Sequence, residues 1–229
     1  METNLAKVKE VAIDFLHLPI EENDKIPGFL LHPFFETRLF PLTDENGDTE
    51  FIDIMASDEN YEKAIKSWEK AISEATSVHL ILMMMRNADK RTFFMYIKDY
   101  LSEKDFSILW RDIWMGTEFP HKDINVSVAK MLKFFQQAKM EYMMDKEEID
   151  IFERFPEKMT VYRGISGSDY YKALSWTTDK DIAENFSQRF SDEGAVFQAV
   201  IDKRYIYAYF AGESEVIVNY NKLKDIKKI

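Results

Sequence analysis

The chain has no cysteine. That excludes a disulfide framework and a thiolate metal site, and it fits a reducing compartment, so the cytoplasm is the expected location. Only 7 of the 229 residues are glycine, and neither GxGxxG nor GxxxxGK[ST] occurs, so the usual phosphate-cradling loops are missing. The four histidines, His17, His32, His79 and His121, are scattered without ligand spacing, and no metal site is expected. Long apolar runs are also lacking. The longest, Val78 to Met85, is interrupted by His79 and ends at Arg86, well short of the roughly 20 residues a membrane span needs. The N-terminal METNLAKVKEVAIDF carries Glu2, Lys7, Lys9, Glu10 and Asp14 where a signal peptide would be apolar. A soluble protein without a membrane partner is expected. Internal repeats, low-complexity tracts and Gly/Ser linkers are absent as well.

What is present is acid and aromatic. The net charge is -11, but from Glu157 to Ile229 there are 11 basic and 11 acidic residues, which leaves 19 basic against 30 acidic upstream. All the excess acid lies in the N-terminal two thirds, the opposite of a broad basic face that grips phosphate backbones. With 46% apolar residues and 14% aromatics, the chain can fill a real core as one large domain or two small ones.

Two patterns meet near Phe155-Pro156. Upstream (1–155), apolar residues recur at helical spacing. Ile65, Trp68, Ile72, Ala75 and His79 mark one face of a helix starting near Ser57. Ser102 reads as the N-cap of a helix carrying Phe106, Leu109, Trp110 and Ile113, and Asp145 with Glu148 reads as a capping box. Val126 to Met144 reads as a further helix offering Val128, Met131, Leu132, Phe135 and Met143 to the core. Pro-bearing loops are expected around Pro19 to Pro41. Downstream (156–229), MTVYRGI, KALSWTT, AVFQAVI, RYIYAYF and EVIVNY read as strands. One helix interrupts them, with Thr178 and Asp181 as its capping box and Ile182, Ala183, Phe186 and Phe190 at helical spacing. The two regions are expected to pack together.

Four features of the second region carry chemistry. Arg163 alternates with Val161 and Ile165 and shares their face, with Tyr162 on the other. Such an arginine is either an ion-pair partner or an anion ligand, since its planar fork suits phosphate or carboxylate. Gly164 leaves the backbone open to close approach. Ser175 and Thr177 share one face of a strand with Trp176 opposite, and their ordinary role is to line a half-exposed strand. Glu213 and Glu215 follow Gly212 at the entrance to Val216-Ile217-Val218. Period-two geometry would aim both carboxylates at one spot, giving a base and an electrostatic stabiliser from one residue type; the alternative is two solvated glutamates. Met83-Met84-Met85 and Met143-Met144 fill irregular core space.

The order of these features, Tyr-Arg-Gly, then Ser-Trp-Thr-Thr, then a helix with Ala183 and Phe186, then Glu-x-Glu, resembles the arginine-serine-glutamate class of ADP-ribosyltransferases. The resemblance covers about Met159 to Tyr220. It implies a split, mostly antiparallel β core that takes NAD as co-substrate and no metal; with the helical N-terminal region read from the residue pattern packed on it, the expected fold is α+β. It implies that Arg163, Gly164, Ser175, Trp176, Thr177 and Phe186 line the NAD site. Arg163 would hold the phosphates and ribose, Gly164 the nicotinamide amide, and Ser175 would brace the site. Glu215 would bind the nicotinamide ribose and stabilise the oxocarbenium-like transition state, and Glu213 would orient or deprotonate the nucleophile. Glu-x-Glu implies a protein arginine as acceptor, with an RNA or DNA base second. Simple NAD hydrolysis and a non-enzymatic NAD-sensing or protein-binding module are the other readings. Compact relatives serve as toxins in phage conflict or toxin–antitoxin modules, so an antitoxin or inhibitor is a possible partner. The sequence departs from the family's usual Ser-Thr-Ser at Trp176.

Overall fold

The computed structural model describes residues 2–44, 46–117, 123–166, 172–189 and 194–229, and the chain forms two compact units, 1–118 and 119–229. His121 and Phe190, named above, lie outside the described residues.

The first unit opens with α1 (Leu5–Leu16), which is capped by the Asn4 side chain and buries Val8, Ala12, Phe15 and Leu16 at helical spacing. The stretch expected as loops, around Pro19 to Pro41, contains one short hairpin, β1 (Glu21–Glu22) with β2 (Leu30–Leu31), and opens into a second just beyond it, β3 (Leu39–Thr43) with β4 (Thr49–Asp53). The second hairpin turns on Asp44, whose Oδ1 accepts the amides of Asn46 and Asp48 at 2.9 Å each, and on Gly47 at φ 88°. A left-handed backbone favours glycine there. Asn46-Gly47 was the available signal, and Pro41 within the strand obscured it.

Four helices follow: α2 (Asp58–Glu74), α3 (Val78–Met83), α4 (Asn87–Ile97) and α5 (Glu103–Met115). Ser57 caps α2 and Ser102 caps α5, as the sequence indicates. The face drawn through His79 is broken, however. The α2 helix stops at Glu74, Ser77 caps a new helix, and His79 is exposed on α3. A serine side chain accepting a free amide competes with continued helix and starts the next one. The core of this unit is aromatic, with Phe93, Phe94 and Trp110 fully buried.

In the second unit, the helix expected over Val126 to Met144 is two helices, α6 (Val128–Gln137) and α7 (Met140–Met143), because the backbone turns extended at Ala138 and Lys139. The α8 helix (Lys146–Glu153) begins with the Asp145/Glu148 capping box, both bonds formed. Then come β5 (Lys158–Ile165), β6 (Ser175–Thr177), α9 (Lys180–Gln188), β7 (Ala195–Asp202), β8 (Ile206–Phe210), β9 (Glu215–Val218) and β10 (Lys224–Lys228). The six strands make one antiparallel sheet in the order β10-β7-β5-β6-β9-β8. The fold is therefore mixed α+β around an antiparallel sheet.

The helices α6 to α8 belong to this sheet. Met144 Sδ accepts the Tyr209 amide at 3.1 Å, Phe155 meets Tyr209 edge-on at 5.3 Å, and Lys203 Nζ donates to the carbonyls of Glu153 (2.8 Å) and Phe155 (3.2 Å). The change of pattern at Phe155-Pro156 is thus a switch from helix to strand inside the second unit, and the compact units divide upstream of it, at 118/119. Among the described residues no helix is long and apolar enough to cross a membrane.

Candidate active site

The strand order makes β5, β6 and β9 neighbours, so Arg163, Ser175 and Glu215 sit on three adjacent strands although 52 positions separate the first from the last. The three side chains are half-buried. Cross-strand partners share a face, and Tyr162 stands opposite Thr177, which stands opposite Glu215. A row of Tyr162, Thr177 and Glu215 therefore crosses the sheet, and alternation adds Ser175 to its face.

Arg163 belongs to the other face by the same alternation, with Val161 and Ile165 buried beside it. It reaches the site differently. Among the described residues β5 and β6 pair only at Tyr162↔Thr177, and just beyond that pair Arg163 Nη1 donates to the Ser175 main-chain carbonyl at 2.6 Å. The guanidinium takes up a backbone acceptor at the seam where the two strands part, a charge-assisted bond stronger than a neutral ladder bond. The arginine is bound to the Ser175 backbone, and the serine side chain stays on the face that carries Glu215.

Gly164 owes its identity to packing. A Cβ there would lie 1.9 Å from the Ala183 carbonyl oxygen and 2.7 Å from the Ser187 amide, so α9 lies against the bare backbone of β5. The close approach expected of a ligand is made by a helix. Gly194 has the same role on the other side, since its Cβ would meet the Ser187 carbonyl at 1.7 Å. Trp176 is likewise a core residue: the side chain is 2% exposed and its indole N–H donates to the Ala173 carbonyl at 3.1 Å. This corrects its expected place in the NAD site, because an indole with its donor satisfied inside the core has no face to offer. Phe186 is half-buried on α9, with the Arg189 guanidinium 5.9 Å from its ring centre.

The Glu-x-Glu segment is a turn rather than two strand positions. Ala211 to Glu213 form one turn of 3-10 helix, Ser214 is left-handed at φ 46°, and β9 begins at Glu215. Glu213 and Glu215 are therefore not related by strand alternation, and Glu213 is exposed. Thr177, 6% exposed, holds this turn: its hydroxyl lies 2.9 Å from the Glu213 carbonyl and 3.2 Å from that of Ser214 while accepting the Asp179 amide at 3.1 Å. The Thr178 amide also donates to the Ser214 carbonyl, at 3.0 Å.

That contact overturns the capping box placed at Thr178. The cap of α9 is Asp179, whose carboxylate accepts the amides of Asp181 (2.8 Å) and Ile182 (3.5 Å), while Thr178 is diverted to the Ser214 turn. At the first turn of α9, a 2.8 Å ion pair with Glu184 holds the Lys180 ammonium above its usual pKa, and the negative charge of Asp181 adds to the shift.

A buried carboxylate, read in the sequence only as a helix cap, also reaches this turn. Glu148 is 4% exposed and accepts the Ala211 amide at 3.1 Å. Among the described residues no cluster of three metal-ligating side chains occurs. Comparison of the chain with protein-family models, with curated proteins and with solved structures finds no match.

Proposed function

We propose that the second unit is the core of a mono-ADP-ribosyltransferase, which transfers ADP-ribose from NAD to a macromolecular acceptor, a protein arginine first. The observation that carries this reading is that Arg163, Ser175 and Glu215 fall on three adjacent strands, Ser175 and Glu215 sharing a face and Arg163 tied from the other face to the Ser175 carbonyl, with Thr177 holding the Glu213 turn at its carbonyl. The planar fork of the Arg163 guanidinium, held at the strand seam, is the shape that suits phosphate oxygens. Glu215, anchored in the ladder between Thr177 and Phe210, supplies fixed negative charge. It would stabilise the sugar cation that forms as the bond between ribose C1′ and nicotinamide breaks and nicotinamide leaves with the bonding pair. The exposed Glu213 would take the proton from the arginine nitrogen that bonds to C1′. Cover for NAD would come from chain other than Trp176. A role as a toxin or effector accords with this chemistry.

Incubating wild-type and Glu215→Gln protein with labelled NAD and whole-cell lysate tests the proposal. The expected result is label on protein arginine that falls at least roughly 100-fold in the variant. Label on RNA or DNA would replace the acceptor, and free ADP-ribose alone would make the protein a glycohydrolase. No turnover by the wild type would leave a binding module.

A further inference from the structure

A capping-box glutamate ordinarily serves its own helix start at a solvated surface. Glu148 does this and more. Its Oε2 accepts the Asp145 amide at 3.0 Å, and the Asp145 side chain returns the bond by accepting the Glu148 amide at 2.9 Å. Its Oε1 accepts the amide of Ala211, 63 residues along the chain, at 3.1 Å. The carboxyl is buried, and a carboxyl in low dielectric is retained only where its oxygens are met. Two backbone amides meet it, one from α8 and one from the residue that opens the Glu213 turn.

That turn has few other holds. Gly212 stands in open space, with nothing within 4 Å of where its Cβ would be. Glu213 is exposed, and the far end is fixed by the Thr177 and Thr178 bonds to Glu213 and Ser214. The turn is thus clamped at both ends, by Glu148 where it leaves β8 and by the two threonines where it enters β9. Glu215 has ladder partners on both sides and does not depend on Glu148.

Resting on the proposed function, we propose that Glu148 is a positioning residue that sets the Glu213 turn and so governs transfer to the acceptor more than cleavage of NAD. Replacing it with glutamine keeps the shape but leaves one side-chain acceptor for which the Asp145 and Ala211 amides compete, so the hold on Ala211 weakens. A displaced Glu213 misplaces the base for the incoming nucleophile, whereas Glu215 stays in place to support departure of nicotinamide.

The experiment compares wild type with Glu148→Gln and, as a second variant, Ala211→Pro, which removes the amide donor and leaves Glu148 unchanged. Phe210 before it is extended at φ -123°, ψ 120°, as a residue preceding proline must be. Transfer to an arginine acceptor, NAD hydrolysis and amide hydrogen exchange of residues 211–214 are measured in each, and transfer is repeated in a Glu213→Gln background. We expect transfer to fall roughly tenfold or more while hydrolysis and the KM for NAD move less than about twofold. Exchange at 211–214 should quicken, and the Glu148→Gln effect should vanish once Glu213 is gone. Equal losses of transfer and hydrolysis, unchanged exchange, or effects additive with Glu213→Gln would each overturn the proposal. A wild type that neither transfers nor hydrolyses would overturn the proposed function instead, and the exchange data would still decide whether Glu148 holds the turn.

Discussion

The two units solve different problems with similar amounts of chain. The first, 1–118, buries aromatic rings among helices: Phe94 packs on Phe106 and Trp110 with ring centres 5.0 and 5.2 Å apart, and Phe15 meets Phe93 edge-on at 5.2 Å. Its helices α1, α2, α3 and α5 each start at a side-chain cap, and they pack as whole faces, as Phe15 of α1 does on Phe93 of α4. The second, 119–229, is organised by a sheet, which brings residues from distant stretches into one row at strand spacing. Every residue assigned to the candidate site lies in the second unit. A sheet can assemble a site from single residues of several strands, whereas a helix presents its neighbours at intervals of three and four along one segment.

The largest test of this contrast compares Trp110→Ala with Gly164→Ala. The first deletes a fully buried indole and should cost about 3–5 kcal/mol. The second drives a Cβ into the α9 backbone and should cost about 3 kcal/mol or more. Hydrogen exchange should rise mainly in α4 and α5 for Trp110→Ala, and in β5, β7 and α9 for Gly164→Ala. Equal rises across the whole chain in both variants would break the comparison, because the units would then open as one body.

A second test uses acid, to which the first unit carries a built-in sensitivity. His32 is 1% exposed, and burial pushes its pKa down to about 4; the backbone of Leu16 and Leu18 offsets part of that shift, and nearby Arg86 adds to it. The ring stays neutral in the fold, where Nδ1 accepts the Phe34 amide at 3.1 Å. The unfolded chain takes up a proton near pH 6.5, so stability is complete above that value and declines as pH falls toward 4. Up to about 3 kcal/mol is at stake. Urea unfolding at stepped pH should show this slope in the wild type and a shallower one in His32→Gln; identical slopes would remove His32 as its source.

The smallest effects concern caps. Asp179→Ala should cost about 1 kcal/mol in urea unfolding, as should Ser57→Ala. Thr178→Ala, which spares the Asp179 cap, should cost less than Asp179→Ala. The reverse order would restore Thr178 as the cap of α9.

Local signals were legible where they acted locally. Ser57, Ser102 and the Asp145/Glu148 box start the helices they mark, because a cap depends on amides two or three residues away. The runs at Met159 and Ala195 became the long central strands. Legibility failed where a distant partner intervened. Thr178 has the sequence of a cap but is claimed by Ser214, and Glu213 sits in a turn that period-two spacing gives no hint of. Gly164 looked like room for a ligand and is room for a helix. In the strand β10, Lys224–Lys228 is mostly charged and acquires strand geometry only by pairing with β7.

The sequence by itself determined the change from a helical to a strand-rich pattern near Phe155-Pro156, the helix starts at Ser57, Ser102 and Asp145, and the residue types available for chemistry, because propensity, capping and periodicity are set within a few residues. Tertiary structure alone decided the order of strands, the seam at which Arg163 meets Ser175, the burial of Trp176, and the hold of Glu148 on Ala211. Each of these depends on backbone groups far apart in the chain, and which amide meets which carbonyl is settled only when the sheet closes its register.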